Sequence, residues 1–426
     1  MSPLFESLAQ SLEAAPLREA AGLAPARRAA LAQALAAGVP SQRQERWKYT
    51  SLRALERRRF DQVDAPELDG ASLSLPTAPR LVFVNGRFAP ALSDVSGLPA
   101  GVSLRPLSQL LAQDAAPDVA FLERRFEADG DAFAQLNAAL ATEGAVLRVA
   151  AGVQPTAPLH LVFLGAPATG DAAFALRHRI ELGQGARLSL VEHHRAAGTQ
   201  AHFGNALAQI QLDADAELVH LRIQSETEQA TQILRSEVEL ASDSVYRRLD
   251  LELGAALTRH ELNVALRGAR ARLHANGVLL ADGRRHLDTR LGIEHAARDT
   301  SCLLEWRGLG AQRSRAVFHG GILIQPGADG TDARLSSRNL LLSAEAEIDT
   351  QPVLEIHADE VQAAHGATVG SLDDTALFYL RSRGIPEAQA RQMLTAAFCR
   401  EVLDVLEPAL REIADAALDA RLDALA

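Results

Sequence analysis

Histidine is the reactive side chain in which this sequence is richest: thirteen copies, beside two cysteines and a single lysine, Lys48. The densest grouping is the run Glu355-Ile356-His357-Ala358-Asp359-Glu360-Val361, continuing through Gln362-Ala363-Ala364-His365-Gly366 to Gly370. Imidazole and carboxylate are ligand types for zinc and iron. In an extended segment His357 and Asp359 share a face, and His365 could return beside them, so the three form a candidate metal site. Gly366 and Gly370 let a partner or ligand approach the backbone. The plainer reading of the run is a tight turn packed with small residues, where β texture gives way to helix. His193-His194, His202, His220, His260, His274, His286, His295 and His319 fall mostly on β runs and read as wall residues. The doublet His193-His194 faces opposite sides of a strand, which is poor geometry for joint chelation.

Other chemistries are excluded by what is scarce. Cys302 and Cys399 stand far apart, which rules out a zinc ribbon, a CxxC redox pair and a four-thiolate cluster built by this chain alone. Lys48 is followed by Tyr49, so there is no Gly-Lys-Ser/Thr and no P-loop, and Schiff-base chemistry would fall on that one lysine. No GxSxG or HExxH occurs, and Gly308-Leu309-Gly310 fails as a dinucleotide fingerprint because Arg313 holds the third glycine position. The phrase Trp47-Lys48-Tyr49-Thr50 is unusual in gathering rare residue types. Its plain reading is a helix end that anchors aromatic rings on a β stack.

The elements that must position these residues divide by texture. Up to about Leu55 the chain is Ala/Leu/Arg/Glu-rich with helical spacing (Leu4, Leu8, Leu12; Leu31, Leu35), broken by Pro16, Pro25 and Pro40. Leu81-Val82-Phe83-Val84 followed by Asn85-Gly86 predicts a strand entering a type I′ hairpin. From about Ala145 to Ile356 short β runs follow one another with little helical interlude, many alternating strictly, as Leu262, Val264 and Leu266 do against Glu261, Asn263 and Ala265. Phrases such as Gly185-Ala186-Arg187-Leu188 and Arg270-Ala271-Arg272-Leu273 recur before strands, as in a solenoid. The Asn-Gly and Asp-Gly turns suit a sandwich equally well, so both architectures stay open on pattern alone. After Gly370 helix returns, with Asp373 or Asp374 as cap, Gly384 as stop and a stripe of Leu394, Phe398 and Val402, and a helical pair capping the β stack is expected.

Length and composition fit a multi-unit globular protein: 426 residues, 47% hydrophobic and 23% charged. A net charge of −11 argues against non-specific binding to nucleic acid or anionic membrane. No run approaches the ~20 apolar residues that span a bilayer, and Glu6 stands where a signal peptide carries positive charge. A cytoplasmic location is the expectation.

Three phrases carry a family resemblance: Glu45-Arg46-Trp47-Lys48-Tyr49-Thr50, Ala358-Asp359-Glu360-Val361 through His365-Gly366-Ala367-Thr368-Val369-Gly370, and Phe378-Tyr379-Leu380-Arg381-Ser382-Arg383-Gly384-Ile385. Over essentially its whole length the chain resembles the SufB/SufD family of iron–sulfur cluster assembly scaffolds. It resembles the SufD side more, because SufB-like members are thought to hold the cluster with their own thiolate and no cysteine here lies near His365 in sequence. The resemblance implies a mainly β fold, a right-handed parallel β-helix flanked by helical domains. Residues 1–95 would be helical with a short hairpin, 96–365 the β-helix with strands dense from about 145, and 366–426 the C-terminal helices.

It further implies a non-catalytic scaffold subunit that pairs with SufB through the β-helix, in a complex driven by the ABC-type ATPase SufC. SufC would dock on the C-terminal helices, at the segment holding Phe378, Tyr379, Leu380, Arg383, Gly384 and Ile385. His365 matches the family histidine proposed to hold the nascent cluster at the partner interface. Asp359, Glu360 and His357 are candidates for a supporting layer, and Trp47, Lys48 and Tyr49 form the family's N-terminal motif. No cofactor is expected to stay bound to this chain alone; the cluster is transient and shared with SufB, and a flavin in the complex is left open. Some relatives carry a cysteine two residues before the histidine, where this chain has Ala363. Two rival readings are a freestanding metal-binding β-helix protein or enzyme using His357, Asp359 and His365, and a homodimer of the isolated chain.

Overall fold

The computed structural model describes residues 2–10, 20–61, 66–113, 116–124, 126 and 131–425. Leu12 and Pro16 of the first helical run lie outside the described residues. One sheet holds β1 (Arg80–Val84), β2 (Arg87–Phe88), β5 (Leu159–Gly165), β7 (Arg187–Ala196), β9 (Glu217–Ser225), β11 (Val245–Glu252), β13 (Arg272–Ala281), β15 (Ser301–Gly310), β17 (Asp332–Leu341) and β19 (Gln362–Gly370). The other holds β3 (Val102–Pro106), β4 (Ala145–Val149), β6 (Ala173–Leu182), β8 (Phe203–Leu212), β10 (Thr231–Leu240), β12 (Leu257–Leu266), β14 (His286–His295), β16 (Arg315–Ile324) and β18 (Glu347–Ile356). From β4 and β5 onward each strand pairs in parallel with the strand two further along the chain, and only β1–β2 and β3–β4 are antiparallel. The architecture is a parallel β-solenoid of about 8 turns with helices at both chain ends.

The recurring phrases are the corners of the coils. Gly185, Asp215, Asp243, Arg270, Asp299 and Gly330 all have positive φ. Each is followed by a small, fully buried residue: Ala186, Ala216, Ser244, Ala271, Thr300 and Thr331. A left-handed residue turns the chain sharply, and a small side chain tucked beneath it lets successive corners stack. The alternation that follows sends Leu188, Leu218, Tyr246, Leu273 and Cys302 inward, into one continuous core.

Outward faces are covered too. The β7, β9 and β11 side chains Val191, Leu221, Leu249 and Leu251 pack against helices α8 (Glu387–Arg400) and α9 (Pro408–Asp423) through Cys399, Val402, Leu410, Ala414 and Leu418. Phe203 and Ile233 on the other sheet pack against α1 (Pro3–Gln10), α6 (Ala132–Leu140) and Trp47. The C-terminal helices therefore lie along a flank rather than capping the stack, contrary to the sequence expectation. The reason is that both outer faces carry aliphatic rows, which flank helices can bury. The helical stripe shifts accordingly, from Leu394 and Phe398 to Ala396, Cys399 and Val402.

β6, β10 and β19 were not legible as strands. In β6 and β10 polar residues stand at inward positions (His178, Gln232, Ser236) and obscure the alternation. β19 is Gln-Ala-Ala-His-Gly-Ala-Thr-Val-Gly, too small and too polar to register. The expected boundary between 365 and 366 thus falls inside β19, and the C-terminal helices begin with α7 (Asp374–Ser382). Among the described residues no helix is long and apolar enough to cross a membrane.

Just past β9, Glu226 is buried, with Gln200 Nε2 donating to its Oε2 at 2.8 Å. Burial pushes its carboxyl up from 4.5 to about 7. Folding therefore favours the protonated form, and stability is full at low pH and is lost as pH rises through about 7. Glu226→Gln is expected to flatten this dependence, which urea titrations at a series of pH values between 4 and about 8 would read.

Candidate functional site

Every inward residue along the stack is covered by the next coil until β19, beyond which no strand follows. Register sets Leu335 of β17 against His365 of β19, and Leu304 of β15 against Leu335. His365 therefore occupies an inward column at the open mouth of the solenoid. Ala363 and Ala367 flank it on the same face, and Ile348, Thr350, Pro352, Leu354 and Ile356 form the corresponding column on β18. Leu335 beneath it is buried, while His365 itself is exposed. One imidazole on an apolar floor between two methyl-sized neighbours can reach an atom outside the molecule, because no strand among the described residues follows above it. Val353, Ile356 and Val369 of these strands are each 38–44% exposed, beside the exposed Glu355 and Gln362. Both terminal strands also present a free edge, which invites pairing with another chain.

The expected metal triad does not assemble. β18 ends at Ile356, so His357 leaves on the connecting loop, where its Nε2 lies 2.8 Å from Glu355 Oε1. Asp359 and Glu360 follow on that exposed loop, where the Glu360 carbonyl accepts from Gly330 N–H at 2.7 Å. Among the described residues no group of three or more His, Cys, Asp or Glu side chains is placed to hold a metal ion. The three residues fail to converge because His357 and Asp359 sit on the exposed loop between β18 and β19 while His365 lies within β19. Neither thiol compensates: burial pushes both Cys302 and Cys399 up to about 12, away from the thiolate form.

Beyond β19, α7 (Asp374–Ser382) packs against α8. Asp373 Oδ1 caps α7 by accepting from Thr375 N–H at 2.8 Å, and Gly384, at φ 85°, ends the turn that follows. Of this helix only Leu377 is buried; Phe378 is 72% and Tyr379 55% exposed. Arg383 lies over the Tyr379 ring, 4.7 Å from its centroid, and donates to its hydroxyl at 2.6 Å. Arg383 and Gly384 are exposed, Leu380 and Ile385 half-buried. Two large rings are thus held outward on the helix, an exposed patch larger than scattered surface residues make.

The N-terminal phrase is placed differently. Trp47 is buried beneath Arg259, whose guanidinium sits 3.9 Å from its ring centroid. Arg46 bridges Asp131 and Glu261 at 3.1 and 2.9 Å, and Thr50 contacts His286 at 3.0 Å. Lys48 is exposed, with Nζ 5.3 Å from the Tyr49 centroid. Trp47 thus pins the N-terminal helices to β12, the anchoring arrangement the sequence suggested. The doublet also separates as expected: His194 faces inward toward Glu192, while His193 faces outward, 3.1 Å from His160.

Comparison with known proteins decides the family. Residues 165–398 match the model described as SUF system FeS cluster assembly, SufBD core domain. The chain belongs to the SufBD family of iron–sulfur cluster assembly proteins. It is 33% identical over 383 residues to the iron–sulfur cluster assembly protein SufD of Escherichia coli (strain K12), covering 88% of this chain and 87% of that one. An iron–sulfur cluster assembly SufBD family protein of Synechocystis sp. (strain ATCC 27184 / PCC 6803 / Kazusa) is 30% identical over 385 residues, covering 86% of this chain and 83% of its own length. A SufBD family protein of Mycobacterium tuberculosis (strain ATCC 25618 / H37Rv) is 31% identical over 303 residues, or 68% and 73% of the two chains. The matched SufBD core takes in the solenoid mouth, His365 and α7 together.

Proposed function

We propose that this SufD-like chain is a non-catalytic scaffold subunit that meets a thiolate-bearing SufB-type partner at the mouth formed by β18 and β19. There His365 lends one imidazole to a nascent iron–sulfur cluster, the cargo of the assembly. The carrying observation is the placement of His365, exposed and inward-facing, on the last strand at the open mouth of the solenoid. One imidazole is too few to retain iron, and both thiols of this chain are buried elsewhere, so the remaining ligands must come from the partner. Imidazole beside thiolate is an established pairing for iron in such clusters. The cluster is then transient and shared. The freestanding-metalloprotein reading loses its support with the separation of His357, Asp359 and His365.

In this reading the exposed rings of α7 dock an ATPase of the SufC type, and ATP-driven movement there is transmitted through the Gly370–Asp373 connection to β19. Phe378→Ala and Tyr379→Ala should leave thermal stability unchanged within about 0.5 kcal/mol, as surface changes do. Each should weaken ATPase binding at least about tenfold, the scale of an interface anchor. Calorimetric titration of the full chain with the ATPase checks both. The reading as a whole is tested by gentle purification of the tagged chain from cells. Co-recovery of an ABC-type ATPase and a cysteine-bearing homologue supports it, whereas recovery of the chain alone with stoichiometric metal removes it.

A further inference from the structure

A cavity of about 60 Å³ lies where α1 and α6 meet the β1–β2 hairpin and the first residues of β6 and β8. It has room for several water molecules. Leu136, Leu140, Phe174 and Phe203 give it apolar walls, and Asn85, Arg87, Thr142, Glu143 and Asn205 bring polar groups to it. The fold fixes its shape. Gly86, at φ 71°, presses the hairpin tip onto Phe174, whose Cβ stands 2.3 Å from where a side chain on that glycine would begin.

The two amides at this cavity are used up by the fold. Asn85 Nδ2 donates to the Ala166 carbonyl at 3.0 Å, and its Oδ1 accepts from Ala166 N–H at 2.8 Å. Asn205 Nδ2 donates to the Phe133 carbonyl at 2.9 Å, and its Oδ1 accepts from Asn137 Nδ2 at 3.0 Å. Two charged groups are left over. Glu143 is only 9% exposed; its Oε1 accepts from Phe88 N–H at 3.3 Å, while its Oε2 has no partner in hydrogen-bond geometry among the described residues. Burial pushes this carboxyl up, and the groups that pull it back most are Ser108 and the amides of Phe88, Ser108 and Gly144, with no cation among them. Arg87, half-buried and next to Phe88 on the hairpin, makes no ion pair or side-chain hydrogen bond among the described residues. A buried carboxyl and a guanidinium thus line one cavity without pairing with each other, although an uncompensated charge in such a place is costly.

We propose that this cavity binds a small zwitterion, an amino acid with little or no side chain, whose ammonium group meets Glu143 Oε2 and whose carboxylate meets Arg87. A lone cation would be opposed by Arg87 and a lone anion by Glu143. A ligand carrying both charges answers each of them and adds no net charge to the site. The guanidinium fork suits a carboxylate, and an ammonium group has donors to spare for Glu143 and for the Thr142 hydroxyl, which bonds to nothing else among the described residues. Size sets the other limit: the space accepts free glycine or alanine and has no room for a long side chain.

The test is nuclear magnetic resonance of the full-length chain with labelled leucine methyl groups, titrated separately with glycine, methylammonium chloride and sodium acetate at constant ionic strength. Glycine is expected to shift the methyls of Leu136 and Leu140 saturably and to leave those of Leu335, at the solenoid mouth, unmoved. Methylammonium and acetate should each bind at least about tenfold more weakly, the scale of one lost charged hydrogen bond. Arg87→Gln and Glu143→Gln should each lower the affinity for glycine by at least about the same factor. Arg87 supports no contact through its side chain, so its variant keeps the test intact if Glu143→Gln folds poorly. The proposal is overturned if glycine gives no saturable shift at Leu136 and Leu140, if either singly charged probe binds as tightly as glycine, or if Arg87→Gln leaves glycine affinity unchanged.

Discussion

His365→Ala is expected to leave the isolated chain as stable as before and the assembled complex intact, while lowering cluster formation by at least about tenfold. The stability half follows from exposure. His365 is solvent-facing on the terminal strand, its side chain makes no ion pair or hydrogen bond among the described residues, and such positions change stability by about 0.5 kcal/mol or less. The backbone pairing of β19 to β17 does not depend on the side chain, so the surface proposed to meet a partner keeps its shape. The functional half follows from ligand count. If His365 supplies one of few ligands, its loss leaves an iron with an open position and no substitute on this chain, since His357 is held at Glu355 on the far side of the loop. Iron and sulfide bound per purified complex, with visible absorbance of the cluster, would measure the outcome. His365→Cys should recover part of the loss, because a thiolate at the same inward position can take up the same coordination. A variant complex that falls apart, or one that builds clusters at the normal rate, would remove His365 from the ligand set.

Why that residue was singled out by resemblance and misplaced by pattern is a matter of side-chain size. Strands show in sequence when inward aliphatic residues alternate with outward polar ones. Leu262, Val264 and Leu266 made β12 plain in this way, and the corner phrases around Ala186 and Ala271 recorded the coil repeat. At the solenoid's end the inward column has nothing above it to pack against, so Ala363, His365 and Ala367 carry no hydrophobic signal and the strand reads as a turn. The opposite failure occurs in the middle. There inward positions hold Glu192, Arg222, Arg248 and Asp250, which a period-2 reading assigns to solvent. Their burial is legible only once the register is known, because it depends on neighbouring coils as well as on the same strand: Arg222 reaches Glu252 across coils, while Arg248 holds Asp250 within β11. The flank position of α8 and α9 was hidden for a related reason: Val219, Leu221 and Ile223 alternate with His220 and Arg222, and alternation does not say which face lines the lumen and which meets a helix.

Trp306 carries the largest expected effect on stability. Its indole fills the lumen where the charged coils give way to the apolar end, edge-on to Phe318 with ring centroids 5.4 Å apart. The neighbouring inward position is Gly277, and a Cβ there would come within 2.3 Å of the indole Cζ3. The glycine is therefore the space the tryptophan needs. Trp306→Ala should cost about 3–5 kcal/mol, from lost burial and from the cavity left behind. Gly277→Ala should also destabilise the native chain, since both the indole and the sheet backbone are fixed. In the Trp306→Ala background the same glycine change should be close to neutral or favourable, giving a coupling energy of opposite sign to the single effects. Solenoids need not unfold in one step, so hydrogen exchange read coil by coil is the suitable measurement. In Trp306→Ala, protection should fall first in β15, β17 and β19, with β7 and β9 spared. If the scaffold reading holds, this variant also loosens the mouth that presents His365, and cluster assembly falls although no ligand has been changed. Equal loss of protection along the whole solenoid would mean instead that Trp306 supports the fold globally, and the mouth would then have no local stability of its own to lose.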